Sequence, residues 1–187
     1  SSTTTTLPPF AGDKESKSAA GPMFSTFGLL DNIRFAQREG FTRVVFDFQG
    51  TEIPWWDIGY ATGPTFEGSG GPPVNVAGDA WLLLTLSSSG YDLSGPDVVT
   101  TYNGPDPVPV NTNSVTEVAR VEDFERISPW VIGVSGGEKN FLVGTLADPP
   151  RVSIDIQDGP TRLMLPRPRR AGQPRAGMPA RRSRARQ

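Results

Sequence analysis

The 187-residue sequence contains neither cysteine nor histidine. Without cysteine there is no disulfide, no thiolate metal site and no cysteine nucleophile. Without histidine the commonest general base and the commonest metal ligand are missing, and every Ser-His-Asp triad is excluded. The absence of both residues excludes most hydrolase mechanisms. Because disulfides are also excluded, the folded chain has to be stabilised by packing.

Long apolar runs are missing as well. The densest run, 80–86, has the length of a strand and falls far short of the roughly 20 residues that a membrane-spanning helix needs. Glycine (21) and proline (19) together make up more than a fifth of the chain, which interrupts helices and favours turns. The composition predicts one domain built of β-sheets whose strands are joined by many turns.

Charge divides the chain into two parts. Up to Asp158 there are 9 Lys and Arg against 20 Asp and Glu (9 − 20 = −11), whereas the remainder has 9 Arg and no acid (+9). The segment 159–187 is Arg/Pro-rich and lacks hydrophobic periodicity, so we expect a disordered tail. Two interpretations of it stay open: an arm for anionic polymers, or the translation of an unselected reading frame in a GC-rich genome. Nucleic acid is not expected as a specific partner.

The first 22 residues are rich in Ser, Thr and Pro and poor in large apolar side chains. Such a composition is typical of a tether, and a hydroxyl-rich start is typical of the chain that follows a cleaved export signal. We therefore expect a tether over 1–22 and a folded domain over 23–158.

Two segments, 42–48 and 151–156, alternate most clearly between apolar and polar residues. A period of two places one set of side chains on a buried face and the other on a wet face. Ile154 is therefore expected in the core. On the polar faces, Arg43 and Asp47 in one segment and Arg151 and Asp155 in the other would pair across a sheet if the two strands are neighbours.

Further strands are predicted where apolar runs are bounded by turn residues. They lie at 29–36, 55–62, 74–76, 80–86, 98–102, 115–120, 130–134 and 141–146, with 136–140 as a tight connection. Only 122–126 looks helical, for about one turn. Short strands with almost no helix predict an all-β fold, an antiparallel β-sandwich of roughly eight to nine short strands with disordered termini.

Three segments together resemble a known family. Residues 38–48 (REGFTRVVFDF) resemble the first hairpin of AMIN domains, and 148–156 (DPPRVSIDI) resemble their terminal strand. Between them, EDFE at 122–125 followed by WVIGV at 130–134 resembles the insert of the AMIN-like domain family, found in secreted proteins and lipoproteins of high-GC Gram-positive bacteria. The resemblance covers 29–158.

The resemblance implies an extracytoplasmic, non-catalytic module that is secreted or associated with the cell envelope. The partner it implies is peptidoglycan or another envelope polymer or protein, and no cofactor is implied. Lipid anchoring, as in the lipoprotein members, would need a cysteine outside this chain, so we expect a membrane contact only through such an anchor.

Trp55, Trp56 and Tyr60 are the candidate ligand-binding residues. Flat aromatic rings close to a turn suit stacking on sugar faces, although they would equally close the end of the sandwich. Trp130 and Trp81 lie in apolar strands and are expected in the core.

Carboxylates are the remaining candidates for catalytic residues. A glycosidase needs two carboxyl groups roughly 5–10 Å apart in a cleft, and Glu122, Asp123 and Glu125, or Asp155 and Asp158, are the available sets. We expect a solvated turn at 122–125 and no metal site, because the spacing lacks an EF-hand pattern. A carboxylate-only glycan hydrolase and a purely structural envelope lipoprotein remain the alternatives to a binding module.

Overall fold

The structure, a computed structural model, describes residues 9–159. Residues 1–8 and 160–187 lie outside the described part, and so does nearly all of the expected Arg/Pro-rich tail. Within 9–159 every element is a strand, and no helix is long and apolar enough to cross a membrane. The all-β prediction is confirmed.

Fifteen strands are described, and eight of them have six residues or more, in agreement with the expected eight to nine. They are β1 (Lys17–Ser18), β2 (Gly28–Arg38), β3 (Phe41–Gln49), β4 (Trp56–Ala61), β5 (Thr65–Phe66), β6 (Val74–Asn75), β7 (Ala80–Leu86), β8 (Ser88–Ser89), β9 (Tyr91–Asp92), β10 (Val99–Thr100), β11 (Val108–Pro109), β12 (Val115–Arg120), β13 (Ser128–Val134), β14 (Phe141–Ala147) and β15 (Pro150–Gln157).

Two sheets form the sandwich. One has five strands in the order β14-β15-β3-β2-β8, and the other has six in the order β1-β4-β7-β13-β12-β11. Their inner faces meet in one core, where the ring of Phe46 packs edge-on against that of Trp130 at 5.8 Å between centroids. Trp130 and Ile154 are completely buried, as predicted.

The two strands with the clearest alternation are neighbours. β3 and β15 pair in antiparallel register, with Arg43 opposite Asp155 and Arg151 opposite Asp47. Arg43 donates two hydrogen bonds to the Asp155 carboxylate, at 2.6 and 2.7 Å. The predicted pairing of these charges across the sheet is confirmed, and Arg34 of β2 adds two further hydrogen bonds to Asp47, at 2.6 and 2.9 Å.

The outer face of the six-stranded sheet is covered by the small β5–β6 hairpin. Phe66 and Val76 pack there against Ala119 and Val131 in a second apolar cluster. Trp81 belongs to this cluster and is only half-buried, with its indole N–H donating to the carbonyl of Val76 at 2.9 Å. The expectation that Trp81 lies in the main core is therefore wrong, because its strand buries both faces and Trp81 points outward.

The connection 87–113 holds four short strands, where the sequence predicted one at 98–102. It closes one side of the sandwich and bonds to both sheets: β8 pairs with β2, and β11 pairs with β12. Tyr102 is anchored in the core, its ring edge-on to Trp130 at 5.6 Å. The length of the connection is explained by this path from sheet to sheet.

The predicted helical turn at 122–126 is wrong. Phe124 and Ile127 exchange two backbone hydrogen bonds, at 3.0 and 2.9 Å, around Glu125 and Arg126. Both central residues have positive φ (50° and 67°), which is the backbone of a tight two-residue β-turn. A turn of this handedness closes two antiparallel segments and cannot begin a right-handed helix.

Part of the segment expected to be a tether joins the sheets. Asp13 bridges to Phe141 of β14, and Lys17–Ser18 pair with Asp57 and Ile58 of β4. The Lys17 ammonium also lies 4.1 Å from the centroid of the Phe141 ring. Residues 13–18 therefore pass from the edge of one sheet to the edge of the other.

Candidate functional site

A groove of about 1160 Å³ lies at one end of the sandwich. Connections from both sheets converge on it: the segment 49–52 after β3, the segment 91–98 around β9, and the turn 123–126 between β12 and β13. Its floor is formed by Phe27 and Leu29, where β2 begins. The groove is therefore formed by the ends of strands and by the connecting segments that follow them.

The walls of the groove are apolar and exposed. Leu93 keeps 69% of its surface accessible, Val98 66% and Phe124 57%. Single exposed apolar residues are ordinary, but a contiguous group of large ones around a concavity is typical of a recognition surface. These three side chains line the same groove.

Hydrogen bonds to the backbone hold the walls in place. The Asp123 carboxylate accepts the N–H of Gly90 at 2.7 Å and lies 3.4 Å from the guanidinium of Arg120. The Thr101 hydroxyl donates to the carbonyl of Leu30 at 2.7 Å. These bonds fix the two ends of the segment 91–98, at Gly90 to the turn 123–126 and at Thr101 to β2.

Arg126 extends the floor of the groove. Its guanidinium lies 4.0 Å from the centroid of the Phe27 ring, a cation–π contact. Beyond this pair lies a smaller concavity of about 610 Å³ that shares Phe27, Glu52, Glu125 and Arg126 with the groove. The two concavities therefore adjoin at these four residues.

The rim of the groove is acidic. Glu52, Asp92 and Glu125 line it, with Arg126 as the opposing cation. The backbone N–H of Ser94 donates to the Asp92 carboxylate at 2.9 Å, which lowers the pKa of Asp92 and keeps it ionised. A rim of this kind attracts cationic groups over a distance of about 8–10 Å at physiological ionic strength.

The three aromatic residues proposed from the sequence do not share one open surface. Trp55 is buried, with its ring edge-on to Phe24 at 5.1 Å. Trp56 and Tyr60 lie in β4 and pack against the core. The Tyr60 hydroxyl donates to the carbonyl of Lys139 at 2.6 Å and accepts its N–H at 2.7 Å, and burial raises the Tyr60 pKa. Glycan binding at these rings stays a prediction.

Four of the five candidate carboxylates, Glu122, Asp123, Asp155 and Asp158, accept hydrogen bonds within the described chain, and Glu125 lies on the rim of the groove. Glu122 accepts the N–H and the hydroxyl of Ser69, at 2.8 and 2.6 Å, and these bonds lower its pKa. Asp155 is held by Arg43, and Asp158 accepts from Ser114 at 2.9 Å and Gln37 at 2.7 Å. A general acid needs a raised pKa, and the shift at Glu122 has the opposite sign.

The glycine-rich loop 68–71 is tied to Glu122 through Ser69 and precedes no helix, so it lacks the surroundings of a phosphate loop. Within 9–159 no group of three or more acidic side chains lies close enough to hold a metal ion.

Sequence reasoning missed the groove. Its clearest signal was the presence of Leu93, Val98 and Phe124 in segments otherwise rich in Ser, Gly, Pro and Asp. Such isolated apolar residues show no periodicity, and their convergence depends on the long connection 87–113 folding back beside the turn 123–126.

Comparison with known protein families gives a match. The family model described as AMIN-like domain matches residues 28–158, well over half of the chain and almost the span expected from the sequence. No curated protein and no solved structure matches. AMIN-like domains are generally binding modules of the cell envelope that lie outside the cytoplasm. The sandwich, the β3–β15 pairing and this match lead to one conclusion: the chain belongs to the AMIN-like domain family.

Proposed function

We propose that this protein is a non-catalytic binding module of the cell envelope, and that its groove takes an extended, apolar peptide segment bearing Lys or Arg from an envelope protein. The observation that carries the proposal is the combination of exposed apolar walls with an acidic rim. Leu93, Val98 and Phe124 supply the walls, and Glu52 and Glu125 belong to the rim.

The walls favour an apolar ligand. Covering Leu93, Val98 and Phe124 removes large apolar surfaces from water, which is the main favourable term in association. Leu93 and Val98 are aliphatic and suit the side chains of a peptide, and the Phe124 ring can pack against the same apolar side chains. The groove therefore supports a peptide as the ligand.

The rim favours a cationic ligand. The folded part of the chain carries nine basic and twenty acidic residues, a net charge of −11. Complementary charge accelerates association and selects among ligands more than it raises affinity. Lys or Arg side chains flanking the apolar ones would face Glu52, Asp92 and Glu125.

Three fluorescent decapeptides test the ligand class by polarisation: alternating Leu and Lys, alternating Leu and Glu, and alternating Ser and Lys. We expect the Leu/Lys peptide to bind at least about tenfold more tightly than the others, and its binding to weaken as salt is raised. Equal binding of all three peptides, or binding that is indifferent to salt, contradicts the proposal.

Substitutions place the binding on the molecule. Leu93→Ser and Phe124→Ser should each weaken binding of the Leu/Lys peptide, whereas Leu142→Ser, at an exposed leucine of β14 far from the groove, is the matched control. Sedimentation with purified peptidoglycan is the competing assay. Retention on peptidoglycan without peptide binding would replace the peptide ligand by the polymer, and release of soluble fragments would overturn the non-catalytic assignment.

A further inference from the structure

β14 (Phe141–Ala147) forms one edge of the five-stranded sheet. On its inner side it pairs with β15 along its whole length, without a register shift. On its outer side the described residues give it one backbone pairing, the bridge between Phe141 and Asp13. The outward backbone groups from residue 142 to 147 thus have no strand beside them in the described part of the chain.

This edge lacks the devices that usually protect an edge strand. Exposed edges are ordinarily short, charged, bulged or interrupted by proline, because they otherwise pair with another chain. The other terminal strands of the two sheets, β1, β8 and β11, have two residues each. β8 covers only the first two residues of β2, and the remainder of β2 carries Asp31, Arg34, Arg38 and a bulge. β14 has seven residues with no charge, no proline and no bulge, and it exposes Leu142 by 39% and Leu146 by 56%.

The sequence of β14 is nearly symmetric about Gly144. Val143 and Thr145, both β-branched, flank the glycine, and Leu142 and Leu146 lie outside them. An antiparallel pair related by a two-fold axis places residues equidistant from its centre opposite each other. The edge therefore complements itself: each leucine of one strand would face a leucine of the other.

The residues of β14 whose backbone N–H and C=O groups point away from β15 fit the same register. Phe141 exchanges two backbone bonds with Asp13, at 2.7 and 3.3 Å, so its N–H and C=O point away from β15. The period of two directs the backbone groups of Val143 and Thr145 outward as well. Pairing about Gly144 sets Val143 opposite Thr145 of the second copy, and both have outward backbone groups. The same register sets Ala147 of the second copy opposite Phe141, so the bridge between Asp13 and Phe141 has to open at both ends of the pair.

We propose that two copies of this chain associate through β14, antiparallel and centred on Gly144, so that the two five-stranded sheets form one continuous sheet. Val143 and Thr145 exchange backbone hydrogen bonds with the second copy. Leu142 packs against Leu146 of the second copy on the outer face, which covers the exposed leucines.

The absence of cysteine allows a test of the register. We would prepare Leu142→Cys and Leu146→Cys in the full chain and oxidise each variant alone and as an equal mixture. Opposed residues have Cα atoms about 4.5–5.5 Å apart, within the range of a disulfide, whereas identical residues would be four steps, about 13 Å, apart. We expect a cross-linked dimer in the mixture and none with either variant alone. Cross-linking of one variant with itself, or equal yields in all three samples, overturns the register.

Sedimentation over a range of protein concentrations tests the association itself. Leu146→Lys places a charge on each side of the two-fold axis, and we expect it to weaken dimerisation about tenfold or more. Leu93→Lys, at an exposed leucine of the groove, is the control and should dimerise like the wild type. A wild-type chain that stays monomeric up to its solubility limit, or a Leu146→Lys variant that still dimerises normally, contradicts the proposal.

Discussion

The centre of the sandwich and the groove at its end are built from the same chain by different means. At the centre, Ile154 is fully buried between sheets whose strands pair in regular register. At the end, Leu93 is 69% exposed and lies in a segment with little regular structure. Packing between sheets maintains the first region, and single hydrogen bonds from side chains to backbone maintain the second. The difference implies that stability and binding can be altered separately.

The largest effect is expected from Ile154→Ala. Removing a fully buried isoleucine side chain forfeits its burial and leaves a cavity, so the free energy of unfolding should fall by about 2–5 kcal/mol. Leu93→Ala removes a similar side chain from the groove and should change stability by less than about 0.5 kcal/mol. Urea denaturation of both variants measures the contrast.

A smaller effect is expected at the charged outer face of the five-stranded sheet. Asp155→Asn weakens the double hydrogen bond from Arg43 and should cost about 1–3 kcal/mol, because Asp155 is buried. A double-mutant cycle with Arg43→Gln should give a coupling of about 1 kcal/mol. The exposed pair Lys14–Glu138, at 4.0 Å, is the control and should give none. Equal coupling in the two cycles would show that the β3–β15 charges add no more than a surface ion pair.

Regular alternation made the central region predictable. Arg43 and Asp47, and Arg151 and Asp155, lie four residues apart on the polar faces of two alternating segments, and this spacing is sufficient to infer their pairing once the strands are neighbours. The same alternation identified Ile154 as a core residue, and the continuous apolar run 130–134 identified Trp130. A period of two is a local property, so it can be read from one sequence.

The groove was not predictable in the same way. Leu93 and Phe124 are distant in sequence and lie in turn-rich segments, so only the folded path of the connection 87–113 reveals that they line one concavity. The positive φ of Glu125 and Arg126 is likewise imposed by the bridge between Phe124 and Ile127. Local propensity suggested a helical turn there, and tertiary structure overrode it.

Tyr102 tests how firmly the long connection is anchored in the core. Its hydroxyl donates to the carbonyl of Pro105 at 2.8 Å, so Tyr102→Phe should cost about 0.5–1.5 kcal/mol at neutral pH. Burial, with the nearby Asp106, raises the Tyr102 pKa from 10 to about 12. A raised pKa contributes stability that is complete below pH 10 and is lost as the pH rises through 12. The variant lacks this contribution, so its stability should approach that of the wild type at high pH. A constant difference between pH 8 and 12 would argue against an anchored hydroxyl.

The smallest effect is expected at Ser69, whose exposed hydroxyl bonds to Glu122. Ser69→Ala removes this bond but keeps the one from the Ser69 N–H, so the loss at neutral pH should stay below about 0.5 kcal/mol. Because these bonds lower the Glu122 pKa, their stabilisation is present above its usual value of 4.5 and is lost as the pH falls through the folded value. The difference in melting temperature between wild type and variant should therefore shrink as the solution is acidified below pH 4.5. A difference that grows on acidification would mean that Glu122 is not the acceptor, and Glu122→Gln, measured over the same pH range, separates this bond from the titration of other carboxylates.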